Sequence, residues 1–168
     1  MQPCSGGRRV VTRLSGAGNV TYIRRTAVNG PVIRILVVDD HEPWRRFVRS
    51  TLEKQAELQL IGEAADGLEA VQKSQELQPD LILLDIGLPK LNGIEVARRV
   101  REDSPNSKIL VLSETRSPEI VEAALRTGVT GYVLKSNGAT ELLPAVEAVL
   151  QGKQFVSPCL GSDSFGRS

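Results

Sequence analysis

The 168-residue chain is poor in the residues that build several common kinds of site. It has two cysteines, Cys4 and Cys159, one near each end and neither close to another Cys or His at ligand spacing. That excludes a disulfide framework and a Cys/His zinc site. Only six aromatic residues are present, too few for a large aromatic binding face. No apolar run approaches the 18 or more residues of a membrane span, and the first thirty residues lack the apolar core of a secretory signal. A cytoplasmic protein is the expectation. The net charge of +1 gives no electrostatic case for nucleic acid.

Acid is also missing locally. Residues 1–30 carry Arg8, Arg9, Arg13, Arg24 and Arg25 and no carboxylate, which leaves the rest of the chain at −4. Such a segment resembles an organellar transit peptide in composition. Its glycine and serine content and lack of amphipathic period instead predict a disordered basic extension over 1–31. The pattern of a folded domain begins only near Val32, so a start downstream of Met1, for example at Val28, is a second expectation.

What the chain does have, from 32 to 152, is an alternation repeated five times. The runs IRILVV (33–38), LQLIGEA (58–64), LILL (81–84), ILVL (109–112) and YVL (132–134) alternate with amphipathic segments of helical length. Near-continuous apolar runs are the mark of strands covered on both faces, so a parallel sheet with helices on either side is predicted. Helix punctuation supports it. Pro43 suits a first turn, Asp66/Glu69 and Asn92/Glu95 have the spacing of capping boxes, Ser117-Pro118 starts a fourth helix and Gly128 stops it. The fifth helix is expected over about 140–151, with Pro144 near its first turn. After Gly152 periodicity ends, and 153–168 reads as a tail or linker stub.

In open parallel sheets ligands gather beyond the carboxyl ends of the strands. Reading each run to its last residue puts Asp39 and Asp40, Asp85, Ser113 and Lys135 at one edge. Two carboxylates about 4 Å apart repel by about 4 kcal/mol at an effective dielectric of 20, so the set calls for positive charge. A hard divalent cation such as Mg²⁺ fits an oxygen site with few carboxylates. Lys135 can pair with a carboxylate or a phosphoryl group, Ser113 can donate to a phosphoryl oxygen, and Gly87 leaves room beside Asp85. The set suits in-line phosphoryl transfer to an aspartate.

VVDD (37–40), LLDIGLPKLNG (83–93), VLS (111–113) and GYVLK (131–135) together resemble the receiver domain of bacterial two-component response regulators. DDH (39–41) and QGKQFVSP (151–158) resemble its nitrate-response/LuxR-type subfamily. The resemblance implies a flavodoxin-like, doubly wound (βα)5 fold with a five-stranded parallel sheet in the order 2-1-3-4-5, an order the fold class carries in general. It implies Asp85 as phosphoacceptor and Asp40 as a direct Mg²⁺ ligand. Asp39 would act largely through water, and the Gly87 carbonyl would complete the protein's ligands. Ser113 and Tyr132 match the switch pair and Lys135 the conserved-type lysine.

The implied partners are a histidine kinase or a histidine phosphotransfer protein, with a homodimer as a further possibility. The implied activity is a switch and not a turnover enzyme. Two departures stand out: Glu114 follows the switch hydroxyl where relatives carry a basic or small residue, and Ser136 replaces a common proline. The subfamily usually continues into a DNA-binding helix-turn-helix. Only ten residues follow Pro158, so direct DNA binding by this chain is not expected, and the alternatives are a truncated transcriptional regulator or a stand-alone receiver. An aspartate-nucleophile phosphatase, as in haloacid-dehalogenase-like enzymes, would need a second acid two residues after the nucleophile, where this chain has Gly87.

Overall fold

The computed structural model describes residues 30–160; the basic extension expected over 1–31 lies almost wholly outside the described residues, as does the end of the tail. The five expected strands are β1 (Ile33–Val38), β2 (Leu58–Ala64), β3 (Leu81–Leu84), β4 (Lys108–Ser113) and β5 (Gly131–Leu134). They pair in parallel in the order 2-1-3-4-5, and a short sixth strand, β6 (Phe155–Val156), joins outside β5. The sheet is the flavodoxin-like one the sequence implies, widened by one strand.

Successive strand residues point to opposite faces, and each face is closed by its own helices. Leu36, Val38, Ile82, Leu84, Ile109 and Val111 pack with α2 (Gly67–Leu77), α3 (Gly93–Asp103) and α4 (Pro118–Arg126). Ile35, Val37, Leu81, Leu83, Leu110 and Leu112 pack with α1 (Glu42–Leu52) and α5 (Gly138–Leu150). Every residue of β3 is buried, as its unbroken LILL requires.

The helix starts are where the polar punctuation puts them. Asp66 accepts from the Glu69 amide at 2.9 Å, and Asn92 from the Glu95 amide at 3.0 Å. Glu69 turns back to the Ala65 amide, whereas Glu95 pairs with Arg98 and Arg99. Ser117 precedes α4 but gives its hydroxyl to Glu119 in place of the helix amides. Gly128, at φ +85°, takes the left-handed turn after α4 that favours glycine. α5 differs from expectation: it begins at Gly138, which places Pro144 inside the helix. The hydrogen bond this proline forfeits would have reached the Thr140 carbonyl, and both residues lie on the exposed face.

Within the segment read as tail, β6 is too short to show a period in sequence, yet it is firmly attached. The Phe155 and Ser157 amides donate to the Thr130 and Tyr132 carbonyls. Ser157, 1% exposed, accepts from the Leu134 amide at 2.9 Å and donates to Glu141 of α5. Ser157→Ala leaves the buried Leu134 N–H without a partner and is expected to cost about 1–3 kcal/mol in urea denaturation. Ser136→Ala, at an exposed position, should stay within about 0.5 kcal/mol of wild type. Equal stability of the two variants would show that the Ser157 hydroxyl contributes nothing.

Candidate functional site

The registers bring β1 and β3 to one level, and β4 and β5 run two residues further in the same direction. Val38 of β1 pairs with Leu84 of β3, Leu84 with Val111 of β4, and Ser113 with Leu134 of β5. Asp39, Asp85 and Lys135, the residues after β1, β3 and β5, therefore leave the sheet at its carboxyl edge, where β4 ends in Ser113. Asp39 is held there by its amide on the Ala64 carbonyl at 3.0 Å, and Asp85 by its amide on the Val38 carbonyl at 2.9 Å. Lys135 follows β5 in a 3-10 turn, Lys135–Asn137. Its ammonium lies 2.6 Å from Asp39 Oδ2 and 3.3 Å from Asp85 Oδ2. Asp39 and Asp85 are buried and Asp40 is exposed.

One carboxylate oxygen from each of Asp39, Asp40 and Asp85 lies within 4.8 Å of the others. Burial pushes the Asp39 carboxyl above its ordinary 3.8, against the pull of Lys135 and of the His41 amide, which donates to Oδ1 at 2.9 Å. Burial alone would lower the Lys135 ammonium, but contact with Asp39 and the charge of Asp85 hold it above its usual range. The ammonium meets Asp39 Oδ2 as a close, buried ion pair. Three carboxylates gathered within 4.8 Å of one another against one ammonium fit a hard divalent cation.

Asp40, Asp85, Gly87, Ser113, Glu114 and Lys135 line one open cleft over this edge. The Gly87 amide donates to Asp85 Oδ1 at 3.3 Å. A Cβ on Gly87 would meet only Asp85 Oδ2, at an ordinary 3.7 Å, so the clearance expected there is not tight around the carboxylate itself. Ser113 is buried and its Oγ accepts from the Thr115 amide at 3.3 Å. Tyr132 is fully buried, with its hydroxyl donating to the Thr115 carbonyl at 3.0 Å, and burial raises its phenol pKa. Thr115 thus links the two residues implied as a switch, a role invisible in sequence. Glu114 is exposed at the cleft wall, where its charge faces any incoming anion.

Two more residues bear on the site. Trp44 packs with Phe47, lies under Gly138, where a Cβ would come within 2.4 Å of its ring, and places that ring 5.6 Å from the Lys135 ammonium. Its amphipathic position predicts packing; its closeness to Lys135 depends on how α5 sits against α1. Arg45, on the same helix, donates to the Asp39 carbonyl at 2.7 Å. A groove between α5 and the α1–β2 turn gathers only Glu57 and Glu147 as ionisable groups and has none of this convergence.

Residues 35–147 match the family model described as "Response regulator receiver domain", and the chain belongs to that family. It is 37% identical over 131 residues to the transcriptional regulatory protein DegU of Brevibacillus brevis, covering 78% of this chain and 56% of that protein. It is 36% identical over 126 residues to the response regulator protein VraR of Staphylococcus aureus, covering 75% of this chain and 60% of VraR. The chain therefore spans somewhat over half the length of the curated relatives it matches. Among solved structures it resembles a LuxR-family two-component response regulator from Aurantimonas sp. SI85-9A1. The TM-score is 0.73 and the identity 34%, over 77% of this chain and 92% of that one. This is the receiver of a two-component system, related to the DegU, VraR and LuxR-type regulators. Among the described residues no helix is long and apolar enough to cross a membrane.

Proposed function

We propose that Asp85 accepts a phosphoryl group from a histidine kinase or a histidine phosphotransfer protein. The observation that carries this reading is the Lys135 ammonium set between Asp39 and Asp85 at the carboxyl edge of the sheet. An Asp85 carboxylate oxygen attacks phosphorus, a P–O bond forms, the P–N bond of the phosphohistidine breaks, and the imidazole leaves with its electron pair. Asp39, Asp40, Asp85 and the Gly87 carbonyl would hold Mg²⁺, which supplies charge neutralisation to the transferring group. Lys135 balances the charge gained at Asp85, and the Ser113 hydroxyl donates to a phosphoryl oxygen. As Ser113 turns toward that oxygen its bond to the Thr115 amide changes, and Thr115 carries the change to Tyr132. Such coupling needs only a two-state equilibrium biased by the phosphoryl group.

The chain then acts as a switch and not as a turnover enzyme. Gly87, two residues after Asp85, supplies no acid to protonate a leaving group, which disfavours the phosphatase alternative. Within this reading residues 32–152 form the receiver, 1–31 an extension and 153–168 the start of a linker, β6 included. Output through a DNA-binding domain, as DegU's description as a transcriptional regulator suggests, would belong to a longer protein. Incubation of the full chain with Mg²⁺ and acetyl phosphate is expected to add one phosphoryl group by intact mass. Asp85→Asn should abolish the addition and chelation with EDTA should suppress it. An unmodified wild-type chain, or an Asp85→Asn variant modified as fast, would overturn the assignment.

A further inference from the structure

The carbonyl of Asp39 sits where the β ladder stops. Its amide still bonds across to Ala64 of β2, but the β1 carbonyl taken up by Asp85 on the other side is that of Val38. Asp39's own carbonyl has Arg45 Nη1 as its donor, at 2.7 Å. Arg45 is anchored in turn: its Nε meets Glu63 Oε2 at 3.3 Å, and its side chain is 15% exposed. Glu63 belongs to β2, beside Ala64. Its other oxygen takes Arg49 Nε at 2.9 Å, and its backbone carbonyl takes the Lys73 ammonium. Both polar ends of the Asp39 backbone are therefore fastened to β2, the amide directly and the carbonyl through Arg45 and Glu63.

The Asp39 carbonyl is half of the peptide joining Asp39 to Asp40. Its orientation sets the direction in which Asp40, the exposed member of the acidic triad, leaves the strand. Among the described residues Arg45 makes no ion pair with Asp39, Asp40 or Asp85, so it leaves the three carboxylates free. Bulk electrostatics cannot account for a favourable role here, because a guanidinium this close repels a cation. What it can supply is a fixed main chain, in the way outer hydrogen bonds orient metal-binding groups.

We propose that Arg45 is a positioning residue for the cation site: by holding the Asp39–Asp40 peptide against Glu63 it aims the Asp40 carboxylate. The proposal rests on the reading of the triad as a divalent-cation site, and the two can fail separately. The probe is Mn²⁺, titrated into the full-length chain and followed by the electron paramagnetic resonance signal of the free ion. Wild type, Asp40→Asn, Arg45→Met, Arg45→Lys and Arg49→Met are compared, with thermal unfolding of each alongside.

Asp40→Asn is expected to weaken Mn²⁺ binding at least about 10-fold, and Arg45→Met about 10-fold. Arg45→Lys, which keeps a donor for the Asp39 carbonyl but cannot also fork to Glu63, should recover part of the loss. Arg49→Met, which removes a positive charge and the other arm on Glu63 without touching Asp39, should bind as wild type or slightly more tightly. Arg45→Met binding as tightly as wild type, or Arg49→Met losing as much as Arg45→Met, would overturn the positioning role. Should Arg45→Met not fold, a folded Arg45→Lys with an affinity between those of wild type and Asp40→Asn would support it, and Arg45→Lys binding Mn²⁺ as tightly as wild type would count against it. Wild-type binding unaffected by Asp40→Asn would overturn the cation-site reading, and this proposal with it.

Discussion

Lys135→Met is expected to lose about 3–5 kcal/mol of stability at neutral pH without divalent cations, the usual cost of removing one partner from a buried ion pair. The pair qualifies: the Asp39 side chain is 2% exposed and that of Lys135 is 10%. Lys135 has its pKa raised above 10.5 in the folded chain, so its stabilisation is fully present below 10.5 and lost only as pH rises through the folded value. At pH 7 the variant forfeits all of it. Asp39 already has a folded pKa above 3.8 because of burial, so its ionised form is a cost at neutral pH that disappears as pH falls below 3.8. Without Lys135 that cost grows.

The deficit of the variant should therefore be largest at neutral pH and shrink on acidification toward 3.8. Adding Mg²⁺ should stabilise the variant more than wild type, because the cation no longer competes with an ammonium. Urea denaturation of both chains across this range, with EDTA and with Mg²⁺, measures the difference. A deficit independent of both pH and Mg²⁺ would assign the loss to the lysine stem packed near Trp44 and not to charge.

The convergence behind that result was legible because it needs only strand identity and parallel order. Once LILL is a buried parallel strand, Asp85 must leave at the same edge as Asp39 and Lys135, whatever the loops do. Side chains that act across elements were not legible. Arg45 in EPWRRFVRSTL looks like one of several solvated helix charges; its bond to the Asp39 carbonyl follows from the register of Glu63 beside it. Thr115 acts through its backbone, which no residue type announces. β6 is two residues long, below any period, and its side-chain anchor is the Ser157 hydroxyl on the Leu134 amide. Pro144 lies inside α5, two residues deeper than a start near 140 would place it, because its side of the helix faces solvent, where a missing N–H costs least.

Gly93→Ala is expected to damage stability and site together, because the start of α3 is pressed against the backbone that carries Asp85. A Cβ at Gly93 would lie 2.2 Å from the Asp85 carbonyl oxygen, 2.7 Å from Ile86 Cα and 3.0 Å from the Asp85 carbonyl carbon. All three are main-chain atoms, so no side chain can swing away. The Gly93 amide meanwhile holds the Ile86 carbonyl at 2.9 Å, and Asn92 caps the helix, which leaves α3 little room to retreat. Overpacking typically costs about 1–3 kcal/mol, and a clash confined to backbone belongs at the upper end. Because the strand and not the helix must give, Asp85 should move, and phosphoryl uptake from acetyl phosphate should fall even where the variant is fully folded. Gly87→Ala is the contrast: its Cβ has a single ordinary contact at 3.7 Å, so its stability should stay within about 0.5 kcal/mol of wild type. Denaturation midpoints and amide chemical shifts of residues 85–87 in the two variants separate these outcomes. A Gly93→Ala chain with wild-type stability and unshifted Asp85 would show that the loop between β3 and α3 relaxes freely, and that the tight junction does not fix Asp85.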